Sequence, residues 1–295
     1  MGACLLPGQA TNVVINSGYR VPPPLKVAPG QVITLFVRPS SIRLTSGIAA
    51  DSIPLPVSLG GFSVTLRQTF SSPVAVPISS VNPIDSCPAV SAAPVCNSLV
   101  AITVQIPFEL LGNAERSRLP ENFASITVAE NAVDGDPLQL NPVAVNIHIV
   151  TSCDTTLLTL SPPCVSLVKK SDGSIVTPKN PAVPGDTVTI SAYGVGRTTP
   201  PVKTGAVPAD ASNGAPELKI GLRFGLNPEV ANADSEPLSA ALTTEGVGIY
   251  GVSFKVPETP KDTPACSESV DSNLSVTIAR GASSGTVALC VRIPD

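Results

Sequence analysis

The sequence predicts an all-β chain folded as two tandem antiparallel β-sandwiches. Three observations carry this. Short segments recur in the same order along the chain, apolar residues alternate with period two, and proline is spread too widely for long helices. Val27-Ala-Pro-Gly30-Gln-Val-Ile-Thr-Leu-Phe36 returns as Val183-Pro-Gly185-Asp-Thr-Val-Thr-Ile190. Val104-Gln-Ile-Pro-Phe108 returns as Phe254-Lys-Val-Pro-Glu258, and Ser125-Ile-Thr-Val-Ala129 as Ser275-Val-Thr-Ile-Ala279. With 295 residues, each half holds roughly 145, enough to bury a sizeable core of its own. The repeats are assigned to residues 1–151 and 164–295, with a linker at 152–163.

The strands follow from local pattern. Val13, Val14 and Ile15 form a short apolar run near the start. Pro29-Gly30 and Pro184-Gly185 are turn signals placed just before a strand. Val143, Val145, Ile147 and Ile149 alternate with Ala144, Asn146, His148 and Val150, so His148 is expected on the outer face. Val188, Ile190 and Ala192 share one face of a strand. Leu218, Ile220, Leu222, Phe224 and Leu226 alternate with polar residues and glycine, the pattern of a half-buried strand. Asp134-Gly135-Asp136 and Gly281 to Gly285 read as hairpin connections, and Phe108 to Gly112 as one short helical turn. Long stretches rich in Pro, Ala, Ser and Asn fall at 72–97 and 198–216. Their composition predicts surface loops, where specificity would reside.

Composition narrows the partners. Charged residues make up 14% of the chain and the net charge is −4, so no basic stripe is available for nucleic acid. There is no Trp and only three Tyr, few platforms for stacking sugars or bases. No apolar run approaches the ~20 residues of a spanning helix, and no transmembrane segment is expected.

Seven cysteines and a single histidine make a zinc site improbable. The proposed disulfides are Cys87–Cys96, Cys153–Cys164 and Cys266–Cys290, which leave Cys4 over. The rival pairing of Cys4 with Cys153 strands Cys164 instead. Either set favours an oxidising, extracellular compartment. Such a location demands an export signal, and Met1-Gly-Ala-Cys4 is read as a truncation from which it has been removed. The same four residues also look like the end of a lipobox.

The order of V-A-P-G-x-V-I-T-L-F, a later V-x-I-P-F-E-L at Val104 to Leu110 and a closing hairpin resembles the Solibacter-type uncharacterised C-terminal domain of secreted acidobacterial proteins. Lys255-Val-Pro257 is a weaker echo. The resemblance implies two immunoglobulin-like copies, a secreted or surface location and no assigned activity. Repeat two keeps a glycine-rich segment, Tyr193-Gly-Val-Gly196, where repeat one has Val37-Arg-Pro39.

Motifs with catalytic lettering do not hold up. Gly281-Ala-Ser283-Ser-Gly285 matches the nucleophile elbow by letters, yet a strand rather than a helix comes after it. Ser166-Leu-Val-Lys169 and Lys203-Thr-Gly205 imitate penicillin-binding motifs, but residues three apart on a strand face opposite sides. Asp134 and Asp136 lack the further carboxylates a calcium site takes. No cofactor or metal is expected. The resulting expectation is a non-catalytic, secreted or cell-surface bacterial protein of structural or adhesive type, assembling with itself or with other surface components. Val13, Val14 and Ile15 are a candidate donor strand for a neighbour's sheet edge, against the plainer reading as the first strand of their own domain. The alternative is a ligand-binding module gripping a glycan, peptide or polymer with the loops 72–97 and 198–216.

Overall fold

A computed structural model describes residues 13–16, 19–20, 25–69, 71–84, 99–112, 123–152, 154, 165–209, 214–215, 217–225, 229–261, 263–267 and 270–293. Among these residues there is no helix, and the regular structure is β-strand throughout. The compact division falls between Ala144 and Val145, ahead of the residue 151 expected from the repeats. Among the described residues, unit 1 is the chain up to Ala144 together with Lys203–Val207, and unit 2 is the remainder.

Unit 1 opens with β1 (Val13–Asn16), β2 (Tyr19–Arg20), β3 (Leu25–Val27) and β4 (Val32–Val37). Next come β5 (Ile48–Ala49), β6 (Ser58–Leu59), β7 (Phe62–Gln68), β8 (Val74–Ala75) and β9 (Ile78–Ile84). It closes with β10 (Leu99–Gln105), β11 (Ala124–Glu130), β12 (Val133–Asp134) and β13 (Leu138–Pro142). One sheet runs β2-β1-β4-β10-β9-β5 and the other β3-β13-β11-β7-β6. The first contains the A-B-E-D order of an immunoglobulin sandwich and the second its G-F-C order, with β3 added parallel to β13. Period two explains the packing. Ile33, Leu35, Ile102 and Val104 from one sheet share a single buried cluster with Phe62, Val64, Ile126 and Leu140 from the other. Val13, Val14 and Ile15 are paired at home, antiparallel to β4, in the position of a domain's own first strand.

Unit 2 repeats the plan. Its strands are β14 (His148–Ile149), β15 (Val168–Lys170), β16 (Thr187–Tyr193), β17 (Lys219–Phe224) and β18 (Glu229–Ser235). They continue with β19 (Ser239–Leu242), β20 (Tyr250–Lys255), β21 (Leu274–Arg280) and β22 (Ser283–Leu289). β15-β16-β20-β19 reproduces A-B-E-D, and β18-β17-β21-β22 runs opposite it in the sandwich. Val188, Ile190, Ala192, Tyr250 and Val252 are wholly buried on one sheet, as are Phe224, Val276 and Ile278 on the other.

Two expectations about turns change. In unit 1 the hairpin turns at Asn131-Ala132, both at positive φ, and Asp134 already lies on the returning strand. Phe108 to Gly112 forms a turn, with the Leu110 N–H donating to Pro107 O, because Pro107 ends the ladder without starting a helix. The stretch 72–97 is also not wholly loop: it contains β8 and β9, and Val76, Ile78 and Val81 are fully buried core residues.

The recurring sequence motifs meet each other in space. Ala28-Pro-Gly-Gln31 and Val183-Pro-Gly-Asp186 each close a turn, with the Gln31 N–H donating to Ala28 O and the Asp186 N–H to Val183 O. Glycine stands third because φ is +73° at Gly30 and +93° at Gly185, as a type II turn demands. The fourth side chain caps the first N–H: Ala28 N donates to Gln31 Oε1 (2.9 Å) and Val183 N to Asp186 Oδ2 (2.8 Å). The Gly30 N–H donates to Ile106 O, and the Ile106 N–H to Gln31 O; Gly185, Val256 and Asp186 repeat this pair. Just before the turn, β3 lies parallel to β13, and in unit 2 Ala182 bridges Val291 in parallel. The chain therefore crosses from one sheet to the other at each Pro-Gly, and the Ile106-Pro or Val256-Pro segment receives it.

This device predicts unequal costs for one substitution. A Cβ on Gly30 would lie 2.2 Å from the Phe108 ring, whereas one on Gly185 meets nothing within 4 Å. Gly185→Ala should cost only the positive-φ strain, about 1 kcal/mol, and Gly30→Ala about 2–4 kcal/mol once the buried ring is displaced. Urea unfolding followed by hydrogen exchange at β4 and β16 amides separates the two; equal losses would contradict the crossing geometry.

Candidate functional site

The last residue of the recurring Ser-Ile/Val-Thr-Val/Ile-Ala strand differs between repeats, Glu130 in one and Arg280 in the other. Both reach the segment just after strand B. Glu130 accepts from Ser40 N (2.6 Å), Ser40 Oγ (2.7 Å), Ser41 N (2.6 Å) and Ser41 Oγ (2.9 Å), and from the Ile42 N–H. Arg280 donates to the carbonyls of Val195 (2.5 Å) and Arg197 (3.4 Å). Ser40 and Val195 are 155 residues apart, the offset of the Pro-Gly turns, so one site is served by opposite charges. In unit 1 the backbone turns N–H groups inward and a carboxylate fits; in unit 2 carbonyls point inward and a guanidinium fits. Burial pushes the Glu130 carboxyl up, but the N–H groups of Ile42 and Ser40, the Ser40 hydroxyl and the Ser41 N–H outweigh it and bring it down to about 2. Glu130 also lines a recess of about 30 Å³ with Val37, Pro39, Phe62 and Val133, room for one water-sized molecule.

The single histidine lies on the face opposite buried Ile147 and Ile149, as alternation predicts, but it is covered there rather than solvated. His148 Nε2 lies 3.0 Å from both carboxylate oxygens of Asp154, and the two side chains are 10% and 2% exposed. Asp154 also accepts from Thr151 N (2.7 Å) and Thr151 Oγ1 (3.1 Å). Tyr193 pairs with His148 across the strands, and burial with the nearby Asp154 charge pushes its hydroxyl up to about 12. Alternation holds through Ile147, His148 and Ile149, and the cover comes from the chain turning so that the Asp154 carboxylate meets the ring nitrogen. Buried Tyr250 donates its hydroxyl proton to Gly196 O, tying down the glycine-rich segment.

Lys203-Thr-Gly205 has a role unrelated to its catalytic lettering. It belongs to unit 1. The Phe108 N–H donates to Thr204 Oγ1 (2.9 Å), and Thr204 Oγ1 donates to Glu109 Oε2 (2.6 Å). The Gly205 N–H donates to Gln105 Oε1 (2.7 Å), and the Leu55 N–H to Gly205 O (2.8 Å). Ala206 N closes a turn onto Lys203 O. Within the stretch 198–216, the described residues 203–206 are therefore held against unit 1. Gly205 and Pro208 are buried, and Gly214 bridges Ala241 along the edge of β19.

Of the proposed disulfides, Cys266–Cys290 is formed, with Cα atoms 6.0 Å apart. It ties the end of β22 to the segment before β21, where Asn273 holds Val291 through both its amide groups. Cys4, Cys87, Cys96, Cys153 and Cys164 lie outside the described residues. Asp134 is exposed on β12, and among the described residues no three His, Cys, Asp or Glu side chains gather as metal ligands. Ser283 begins β22 and accepts from the Ile147 N–H (2.9 Å), which removes the nucleophile-elbow geometry. Lys169 is held by Glu245 at 2.7 Å, and Ser166 bridges Thr151. Among the described residues no helix is long and apolar enough to cross a membrane.

No protein-family model matches the chain, and no curated protein matches it. Among solved structures it is similar to one described as an anomalous substructure of Titin-A168169, at 9% identity, over 97% of this chain and 100% of that one, with a TM-score of 0.23. The titin Ig tandem domains A164-A165 align at 11% identity over 97% and 98%, TM-score 0.22. A chain described as BspA_C_mut aligns at 8% identity over 98% and 100%, TM-score 0.25. The immunoglobulin-like class rests on the strand order described above and not on these likenesses.

The Glu130 clamp makes unit 1 acid-sensitive. Its carboxyl is held at about 2 against an ordinary 4.5, so its contribution is complete above pH 4.5 and lost as pH falls toward 2. That loss amounts to about 2–3 kcal/mol. Urea unfolding at pH 7 and pH 3 should show it in the native chain. Glu130→Gln should be weakened at pH 7 and should lose less stability than the native chain over this range; an unchanged acid slope in the variant would remove Glu130 as the cause.

Proposed function

We propose that this chain is a non-catalytic, extracellular bacterial protein of structural or adhesive type, in which two immunoglobulin-like sandwiches serve as building blocks. The observation that carries the reading is how the buried and half-buried polar side chains are used. Glu130, Asp154, Arg280 and Tyr250 are each committed to fixed partners on the loops between strands. A carboxylate whose lone pairs are taken by backbone donors is a staple, not a base with a free lone pair for a substrate proton. The Cys266–Cys290 bond supports an oxidising compartment. Membership of the Solibacter-type C-terminal family is part of the same proposal.

Self-association is the mode of action this reading favours. The bulged pairing of β18 with β17, at the margin of its sheet, bears on which edge a neighbour could use. Sedimentation velocity with negative-stain electron microscopy on the oxidised full chain tests the proposal. Ordered fibres, lattices or a reversible concentration-dependent series are expected. A monomer at every concentration, with turnover of any ester, glycoside or peptide substrate, would overturn it.

A further inference from the structure

We infer that unit 1 carries a receptor slot for a hydroxyl-glycine turn, and that the Lys203–Val207 tip of a second copy of this chain is the partner it takes. The inference rests on the self-association reading and names its contact. The slot walls come from three separate stretches of unit 1: Leu55, Pro77, and Gln105 with Phe108 and Glu109. The guest arrives from almost a hundred residues further along, and its flanks, Val202 and Pro208, belong to unit 2. A segment whose neighbours on both sides belong elsewhere is a guest on a tether.

The slot reads two residue types. Thr204 Oγ1 accepts from the Phe108 N–H and donates to Glu109, a dual role that a hydroxyl fills and an aliphatic side chain cannot. At Gly205 φ is +82°, and an added Cβ would lie 3.2 Å from Pro77. The glycine peptide is held at both ends, its N–H by Gln105 and its carbonyl by Leu55. The slot also carries a buried side-chain amide that is only half used. Gln105 is 1% exposed, and its Nε2 lacks a hydrogen-bond partner. In the seated state the Gly205 N–H is the partner of its Oε1.

Every one of these bonds ends on residues 204–205, so the same tip from another copy satisfies the slot equally. Choice between own and foreign tip is then set by effective concentration, and crowding of chains at a surface favours exchange. Slot and tip are different surfaces, so the contact is heterologous and either closes a ring or propagates as a chain.

Complementation between two full-length variants tests this. Thr204→Ala with Gly205→Val gives a chain with an empty slot and no usable tip. Gln105→Ala with Glu109→Ala gives a chain with a tip and no slot. Each alone should sediment as a monomer, and an equal mixture should form a heterodimer with at least tenfold tighter association than either variant with itself. Folded variants that stay monomeric when mixed would overturn the inference. Calorimetry of a synthetic peptide of residues 201–208 on the Gly205→Val chain repeats the test with one substitution. Saturable binding, lost when the peptide carries alanine in place of its threonine, is expected, and no binding heat counts against the slot. Native chains that form fibres while complementation fails would sink this contact alone. Complementation in variants of a chain that never associates natively would sink the broader reading.

Discussion

Each sandwich depends on the crossing made at its Pro-Gly turn. A two-layer β fold must pass the chain between sheets without leaving buried peptide groups unpaired. Here the passage takes four residues. Proline fixes the second position, glycine accepts the positive φ at the third, and the fourth side chain caps the N–H of the first. The glycine N–H and the carbonyl after it then extend the ladder by one pair onto Ile106 or Val256. The next residue in both units is a proline with no N–H to continue the ladder, so pairing stops there. Turn and receiver are remote in sequence and adjacent in space, which is why both recur with so little change.

Outside the crossing the repeats are free to vary, and the F-strand ends show how. Glu130 and Arg280 occupy one position and hold one loop, yet they carry opposite charge because the loop presents opposite backbone groups. The repeats share geometry and not chemistry. The E–F region diverges similarly: in unit 1 Gln68 holds Leu111 through both amide groups, and in unit 2 Asn273 and the Cys266–Cys290 bond do the equivalent work. Buried polar side chains are thus spent on fixing connections, as Gln105 is on the Gly205 N–H.

The repeat, the Pro-Gly turns and the alternating strands were legible because each has a period or a residue type that conformation requires. Val188, Ile190 and Ala192 face inward as alternation predicts, and Gly30 and Gly185 stand where only glycine is unstrained. The Glu130 clamp was not legible. Three of its five donors are backbone N–H groups, which leave no mark in sequence, although the Glu-to-Arg change at the end of a shared strand was a visible clue. Alternation put His148 on the correct face, but its covering by Asp154 was not legible, because it depends on the turn that follows the strand. The tip at Thr204-Gly205 was hidden by composition: a Pro- and Ala-rich stretch reads as loop whether or not another surface has captured it.

Native-state amide hydrogen exchange tests the central role of the crossing most directly. The N–H groups of Gly30 and Ile106 in unit 1, and of Gly185 and Val256 in unit 2, each donate to a carbonyl across the crossing. If these bonds organise the sandwiches, all four amides exchange only with unfolding of their unit, as slowly as the amides of β4 and β16. Exchange of the turn amides by local opening, orders of magnitude faster than those strands, would show that the sandwiches hold together without the crossing.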